Sequence, residues 1–256
     1  MSDVQSIHEF DLNMICEYFS ALDRQGPGSP EITRRALDFI EGIDADSHIA
    51  DLGCGTGGQT MALAQGIPGK ITGIDLFPRF IELFNANARQ LGLDDRVTGR
   101  VGSMDDLPFN PGEISLMWSE GAIYNIGFEQ GLRGWKPYIK EGGYIAVSEV
   151  SWFTDTRPAE IEDFWMEAYP GIDTIPAKLA QVQKAGYMPV ACFALPESCW
   201  LDHFYAPQAE AQKAFLEKHP NDPSVKGFIE NQRHEQRLYQ KYKAFYGYVF
   251  YIGKKL

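Results

Sequence analysis

Basic residues are short in this chain: 23 Lys and Arg stand against 35 Asp and Glu, a formal net charge of -12 over 256 residues. That deficit argues against nucleic acid or an anionic membrane as the main partner, because holding phosphates takes clustered Lys and Arg. The terminal GKKL is too short to make such a cluster. Cysteine is scarce as well. Cys16, Cys54, Cys192 and Cys199 form no CxxC and match no zinc spacing, so they read as reduced thiols. No apolar run approaches the roughly 20 residues of a membrane span. The opening MSDVQSIHEF lacks the basic head and apolar core of a signal peptide. Together these absences lead to the expectation of a cytoplasmic protein. Repeats and low-complexity segments are missing too. The five histidines show no ligand spacing with Asp or Glu, so no metal is implied. His8, His48 and His219 read as structural or exposed, while His203 and His234 are free to face a pocket.

What is present is an ordinary globular composition, 44% hydrophobic and 23% charged, at a length that suits one domain with an insertion. Ile7, Phe10, Met14, Ile15, Tyr18 and Phe19 recur at helical spacing over 7–22. Ser29-Pro30 then opens a helix running to about Glu41, with Ser as cap and Pro at the first helical position. From there short apolar runs alternate with helical patterns. Strands are predicted at 47–53, 70–76, 96–102, 114–119 and 142–150, with helices at 57–66, 78–91 and 128–140. Such alternation means a parallel sheet covered on both faces. Beyond Val150 two helices (156–171 and 174–187), a strand (187–195), a helical stretch over roughly 207–243 and an aromatic last strand, AFYGYVFYIGKK, complete the chain.

The stretch IADLGCGTGGQT, residues 49–60, carries the chemistry. Gly53, Gly55 and Gly58 match GxGxxG, which by itself is a weak sign of a dinucleotide site. Glycines let the main chain turn tightly and a ligand approach it, and the amides opening the next helix favour an anion. Asp51, two residues before the turn, would repel a pyrophosphate. It suits a ligand that carries a cationic or ammonium group beside a carboxylate, as S-adenosyl-L-methionine does. Asp75, at the end of the second strand in GIDLF, can accept from ribose hydroxyls of either NAD or adenosylmethionine, or simply cap the helix at Pro78.

DLGCGTGGQT, GIDLF, GSMDDLPF, WSEGAIYNIG and GGYIAVSE, in this order, resemble the class I S-adenosylmethionine-dependent methyltransferases, and within them the small-molecule branch of quinone-biosynthesis C-methyltransferases. The likeness is strong over about 45–150 and looser in the last strand. It implies an α/β, Rossmann-like three-layer sandwich. The sheet would have seven mostly parallel strands, the last one antiparallel and inserted beside the fifth. It also implies one methyltransferase domain: an N-terminal helical lid (1–44), a cofactor-binding core (45–150), a substrate cover (151–186), and the last two strands (187–256) with a helical insertion at about 200–243. Asp51, Gly53, Cys54, Gly55, Gly57 and Ser119 would then lie about the methionine end of the cofactor. Asp75 would take the ribose, Leu76 the adenine side, and Ser103, Met104 and Asp105 would cover the adenine. Relatives often have an acid where Ser103 stands, and Asp105 is the substitute at hand. RQGPG (24–28) would be the flexible piece of the lid, with Arg24 either on the cofactor carboxylate or solvated.

The reaction implied is an in-line displacement at the sulfonium methyl, leaving S-adenosyl-L-homocysteine. Alignment in a dry site would supply much of the acceleration. Glu120 and Tyr124, just after the fourth strand, are the candidate catalytic residues. Glu120 reads as a general base or as a loop or cofactor contact, Tyr124 as an orienting hydroxyl or a packed wall. Trp152, Phe153, Trp165 and Tyr169 read as a lining for a flat or apolar small molecule or as core under the helices. The loop lacks the Asn/Asp-Pro-Pro-Tyr pattern of enzymes that methylate nucleic acid amines, in keeping with the acidic charge. Three functions stay open: a transferase for a small-molecule acceptor, a protein that binds adenosylmethionine without transfer, and a nicotinamide oxidoreductase. A homodimer is also left open.

Overall fold

The computed structural model describes residues 11–256, so Ile7, His8 and Phe10 lie outside the described residues. The first helix, α1 (Leu12–Phe19), starts where the Asp11 carboxylate accepts the Asn13 N–H at 2.8 Å. The second, α2 (Pro30–Leu37), opens at the predicted Ser-Pro step. There Ser29 Oγ accepts the Ile32 N–H at 3.3 Å, and Pro30 sits where no intrahelical donor is needed. It ends earlier than the expected Glu41.

The alternating segment folds as β1 (His48–Leu52), α3 (Gly58–Gly66), β2 (Lys70–Asp75), α4 (Pro78–Gln90), β3 (Val97–Val101), β4 (Ile114–Glu120), α5 (Phe128–Trp135) and β5 (Ile139–Trp152). All five strands pair in parallel. The helix predicted over 128–140 stops at Trp135. Pro137 lacks the N–H that an α-helix would use and crowds the turn before it, so residues 136–138 tighten into a 3-10 turn that leads straight into β5.

After β5 come α6 (Ala159–Ala168), β6 (Asp173–Thr174), α7 (Ile175–Lys184), β7 (Tyr187–Ala194), α8 (Glu197–Trp200), α9 (Ala206–Lys218), α10 (Pro223–Tyr242) and β8 (Tyr246–Lys255). The sheet order is β3-β2-β1-β4-β5-β8-β7, with β8 antiparallel between β5 and β7 as expected of the last strand. The strand beyond the expected seven is β6, whose two residues pair with Ser151 and Trp152 and are too few to show a period. The helical stretch near 207–243 is broken at Asp222, whose carboxylate accepts the Ser224 and Val225 amides and starts α10 anew.

Helices cover both faces of the sheet. Ile49, Ile71, Trp118 and Phe250 face one layer, while Leu52, Met117, Val147 and Tyr251 face the other. In contrast, α1 packs away from the sheet. Tyr18 and, just past the helix, Leu22 join Phe215, Val225, Phe228 and Ile229 of α9 and α10 in a third cluster. Tyr18 Oη donates to Gln208 Oε1 at 2.9 Å across it. The N-terminal segment and the late helical insertion thus share one core. Among the described residues no helix is long and apolar enough to cross a membrane.

Candidate cofactor and acceptor site

The turn after β1 is possible only with glycine. Gly53, Gly55 and Gly57 have φ of 70, 54 and 91°, in the left-handed region that other residues enter at a cost. A Cβ on Gly53 would lie 2.3 Å from the Ala122 Cβ, so the loop after β4 rests directly on this position. The Gly53 and Cys54 amides both donate to the Ile74 carbonyl, at 2.8 and 3.1 Å. Cys54 points inward, packs over the bare Cα of Gly73, and has its thiol pushed well above the ordinary range by burial. It is scaffold for the turn.

Asp51 is completely buried. Its Oδ2 accepts from Thr60 Oγ1 at 2.5 Å, while Oδ1 has no partner among the described residues. Burial pushes the carboxyl up to about 7, with the Thr60 bond pulling the other way. From the N-terminal segment, Arg24 forms a buried ion pair with Glu120, and its second terminal nitrogen, Nη1, is buried without a partner among the described residues. Glu120 is surrounded: Oε1 also accepts from Thr33 Oγ1 at 2.7 Å and Trp118 Nε1 at 3.1 Å. Next to Arg24, Gln25 Oε1 accepts the Thr56 N–H at 3.0 Å and lies 2.0 Å from where a Cβ on Gly55 would be. Its amide nitrogen donates to the Leu22 carbonyl at 2.9 Å and to Thr56 Oγ1 at 3.1 Å. The predicted flexible piece is therefore seated on the glycine turn.

Asp75 holds that turn from the other side. Oδ2 accepts the Gly55 N–H at 2.9 Å and Oδ1 the Phe77 N–H at 3.1 Å. Burial raises its carboxyl and these amides oppose the rise. Asp75 is not the cap expected at Pro78: Phe77 holds that position with no side-chain cap, and Asp75 instead folds the turn before α4 while keeping lone pairs to spare. Leu76 beside it is 61% exposed, an apolar side chain left open at the carboxyl end of β2. In the loop after β3, Ser103 Oγ donates to Asp105, the Met104 carbonyl accepts from Trp135 Nε1 at 2.7 Å, and the Met104 methyl approaches Gly53. Ser119 is buried, with its hydroxyl donating to the Leu52 carbonyl at 2.8 Å, which ties β4 to β1.

Tyr124 lies in a 3-10 turn (Ile123–Asn125) beyond β4, with its ring 5.8 Å from that of Tyr169. Of the four aromatics expected after the fifth strand, Trp152 ends β5 and is core, as is Trp165, whereas Tyr169 reaches forward to Tyr124 and donates to Glu149 at 2.5 Å. His203 and His234, free by sequence to face a pocket, are exposed. Sequence reasoning passed over Gln25, Thr33, Thr56, Thr60 and Trp118. Only Trp118 had a readable signal: two residues from Glu120 on one strand, it must share that residue's face. Two surface hollows lie elsewhere, one on α5 around Glu129 and Arg133 and one around Gly42 and Lys140, and neither adjoins the glycine turn.

Residues 43–211, well over half of the chain, match the family described as a methyltransferase domain. A geranyl diphosphate 2-C-methyltransferase of Streptomyces lasalocidi is 29% identical over 113 residues, covering 44% of this chain. That stretch spans only 38% of the relative's own length. Among solved structures, a methyltransferase from Geobacter sulfurreducens in complex with S-adenosyl-L-homocysteine superposes with a TM-score of 0.81 at 21% identity, over 96% of this chain and 99% of that one. The [4+2]-cyclase SpnF gives 0.72 at 20% identity, over 91% and 85% of the two chains. At these identities the superpositions establish the shared fold. The family match establishes more: this chain belongs to the methyltransferase domain family.

Proposed function

We propose that the protein binds S-adenosyl-L-methionine on the glycine turn and transfers its methyl group to a small-molecule acceptor beside Tyr124. One observation carries the reading. Two buried atoms of oppositely charged groups beside the turn, Asp51 Oδ1 and Arg24 Nη1, have no partner among the described residues. A buried polar atom left without a hydrogen-bond partner costs about 1–3 kcal/mol, more on a charged group. The methionine end of the cofactor, an ammonium next to a carboxylate, matches such a pair, with the ammonium on Asp51 and the carboxylate on Arg24. A diphosphate has no positive group for Asp51, which speaks against the nicotinamide alternative.

Once bound, adenosylmethionine supplies an electrophilic methyl on a sulfonium. The chain's own part is placement. Asp75 offers its remaining lone pairs to the ribose hydroxyls, and Leu76 and Met104 give the adenine two apolar sides. Segment 22–28 shuts water out. Entry requires Gln25 to leave Thr56 and Gly55, so the lid opens to load and closes to react. For Glu120 the surrounding donors favour the role of cofactor contact over that of base. Its oxygens already accept from Arg24, Thr33 and Trp118, so a proton taken from substrate would displace one of them. We assign it to holding Arg24. Tyr124, accessible and beyond the turn, faces the acceptor.

A second reading, cofactor binding without transfer, is favoured by the likeness to SpnF, a cyclase on the same fold. Calorimetry and mass spectrometry separate the possibilities. The expected result is heat from S-adenosyl-L-homocysteine with none from NAD, then methyl incorporation into an acceptor from a metabolite screen. Heat without incorporation on any acceptor supports the binder. Heat from NAD alone overturns the proposal.

A further inference from the structure

Thr60 has no part in the cofactor reading, yet among the described residues it makes the single hydrogen bond that the Asp51 carboxylate receives. Both residues are completely buried. Thr60 stands in the first turn of α3, just after the cap position Gly57, which has no side chain of its own to offer. A threonine in a helix commonly bonds back to the carbonyl four residues earlier. Here that carbonyl belongs to Thr56 and already receives Asn87 Nδ2 at 3.0 Å. Thr60 Oγ1 instead leaves the helix for Asp51 on β1. The start of α3 is fixed for this purpose. Gln59 Nε2 donates to the Cys54 carbonyl at 3.1 Å, and Met61, Leu63 and Ala64 pack in the same layer as Ile49.

A donor on one carboxylate oxygen does two things. It fixes how the group is turned, and it favours the ionised form. Thr60 holds Oδ2, which leaves Oδ1 as the oxygen to meet a ligand donor. The same bond opposes the rise that burial imposes on the carboxyl. The other titratable groups that face Asp51 come from three strands' ends and the N-terminal segment. Arg24 favours the anion, while Glu120 at the end of β4 and Asp75 at the end of β2 oppose it, and the Cys54 thiol lies beside it in the turn. α3, with the sequence GQTMALAQG, brings no charge. Arg24 is itself taken by Glu120. An ionised Asp51 therefore depends on the Thr60 hydroxyl until a ligand arrives.

We propose that Thr60 is a positioning residue for the cofactor: its hydroxyl pins one oxygen of Asp51 and keeps the other turned, as an anion, toward the ammonium of the methionine end. The inference rests on the adenosylmethionine reading. Its test is the affinity of the full chain for S-adenosyl-L-homocysteine, by calorimetry from about pH 5.5 to about pH 8.5, in the unaltered chain, Thr60→Val and Thr60→Ser. In the unaltered chain the affinity should rise with pH and level off above about 7, where the buried carboxyl ionises. Thr60→Val keeps the shape and removes the donor. The rise should then move up by about one pH unit, the lower end of what a hydrogen bond to a charged group is worth. Binding becomes about tenfold weaker at about pH 6 and stays within about twofold at about pH 8.5. Thr60→Ser restores the hydroxyl and should bring the profile back. A role in packing alone weakens binding by one factor at every pH, and that result overturns the inference, as does an unchanged affinity. In an Asp51→Asn background no charge is left to hold, so Thr60→Val should cost at most about a further twofold. A further tenfold loss there overturns the inference too, and this pair decides the case if Thr60→Val alone does not fold. No heat from adenosylhomocysteine in the unaltered chain overturns the cofactor reading itself, whereas heat with an unmoved profile in Thr60→Val overturns only the role of Thr60.

Discussion

The two halves of the proposed site are assembled in different ways. Asp51, the glycine turn, Asp75 and Met104 belong to one run of consecutive strands, and their contacts are mostly main-chain: Gly55 to Asp75, Cys54 to Ile74, Trp135 to the Met104 carbonyl. The proposed acceptor half joins Arg24 to Glu120 and Tyr124 to Tyr169, residues far apart in the chain, and side chains hold it together. A pocket made by backbone tolerates change in its surroundings. One made by distant side chains can be retuned residue by residue, which suits an acceptor that differs between members of a family while the cofactor stays the same. Arg24 is the bridge between the two.

The hardest blow to this division is therefore expected at Arg24. Arg24→Leu leaves Glu120 as an uncompensated buried charge and should cost about 3–5 kcal/mol in denaturant unfolding. The double variant with Glu120→Gln should cost less than the sum of the two single changes. The same Arg24 variant should lose adenosylhomocysteine binding. Undiminished binding would mean that the cofactor half stands without the lid. Next in size is Gly53→Ala, which places a methyl against Ala122 at a left-handed φ. Strain and overpacking together suggest a loss of about 2–4 kcal/mol, with cofactor affinity lost as well. If acceptor binding survives in this variant, the two halves are independent in energy as well as in construction.

Asp51 gives a pH test of the unpaired oxygen. An unfolded aspartate titrates near 3.9, whereas burial holds the folded one up at about 7. Between those values the folded chain keeps a proton that the unfolded chain has released. Ligand-free stability is thus intact below the lower value and falls as pH rises to the upper one. The loss is on the order of a few kcal/mol when complete. An ammonium on Oδ1 removes this penalty, so the thermal shift produced by adenosylhomocysteine should grow from about pH 5 to about pH 8. Asp51→Asn should flatten both curves and weaken binding about 10- to 100-fold, the worth of a hydrogen bond to a charged group. A shift that does not vary with pH would leave Asp51 without its ligand.

Legibility in the sequence follows the same division. Where backbone conformation demands glycine, the residue type itself reports the geometry, so Gly53, Gly55 and Gly57 were readable, and Asp75 with them. Strand order followed from alternation and family likeness. Trp165 and Tyr169 lie on one helical segment after β5, and nothing in their spacing told that one would be core and the other would reach Tyr124. Glu149 went unremarked in its strand, and its partner Lys178 comes from a separate helix and is announced by nothing nearby. Gln25 reaches Thr56 from a segment that packs on α9 and α10, a tertiary event that no local pattern encodes.

The finest distinction concerns Ser119, a residue of the cofactor half by family likeness but, in the fold, a strap between strands. Its hydroxyl donates to Leu52 and is fully buried. Ser119→Ala removes one donor and leaves that carbonyl short of a partner, a loss of about 1 kcal/mol. For a chain of this length the melting temperature should fall by about 2–4 °C. Adenosylhomocysteine affinity should be unchanged if the hydroxyl serves the sheet alone. A tenfold weaker affinity at constant stability would instead mean that Ser119 turns toward the ligand once the lid opens, and the backbone-built half would then contain one side chain that chooses between fold and cofactor.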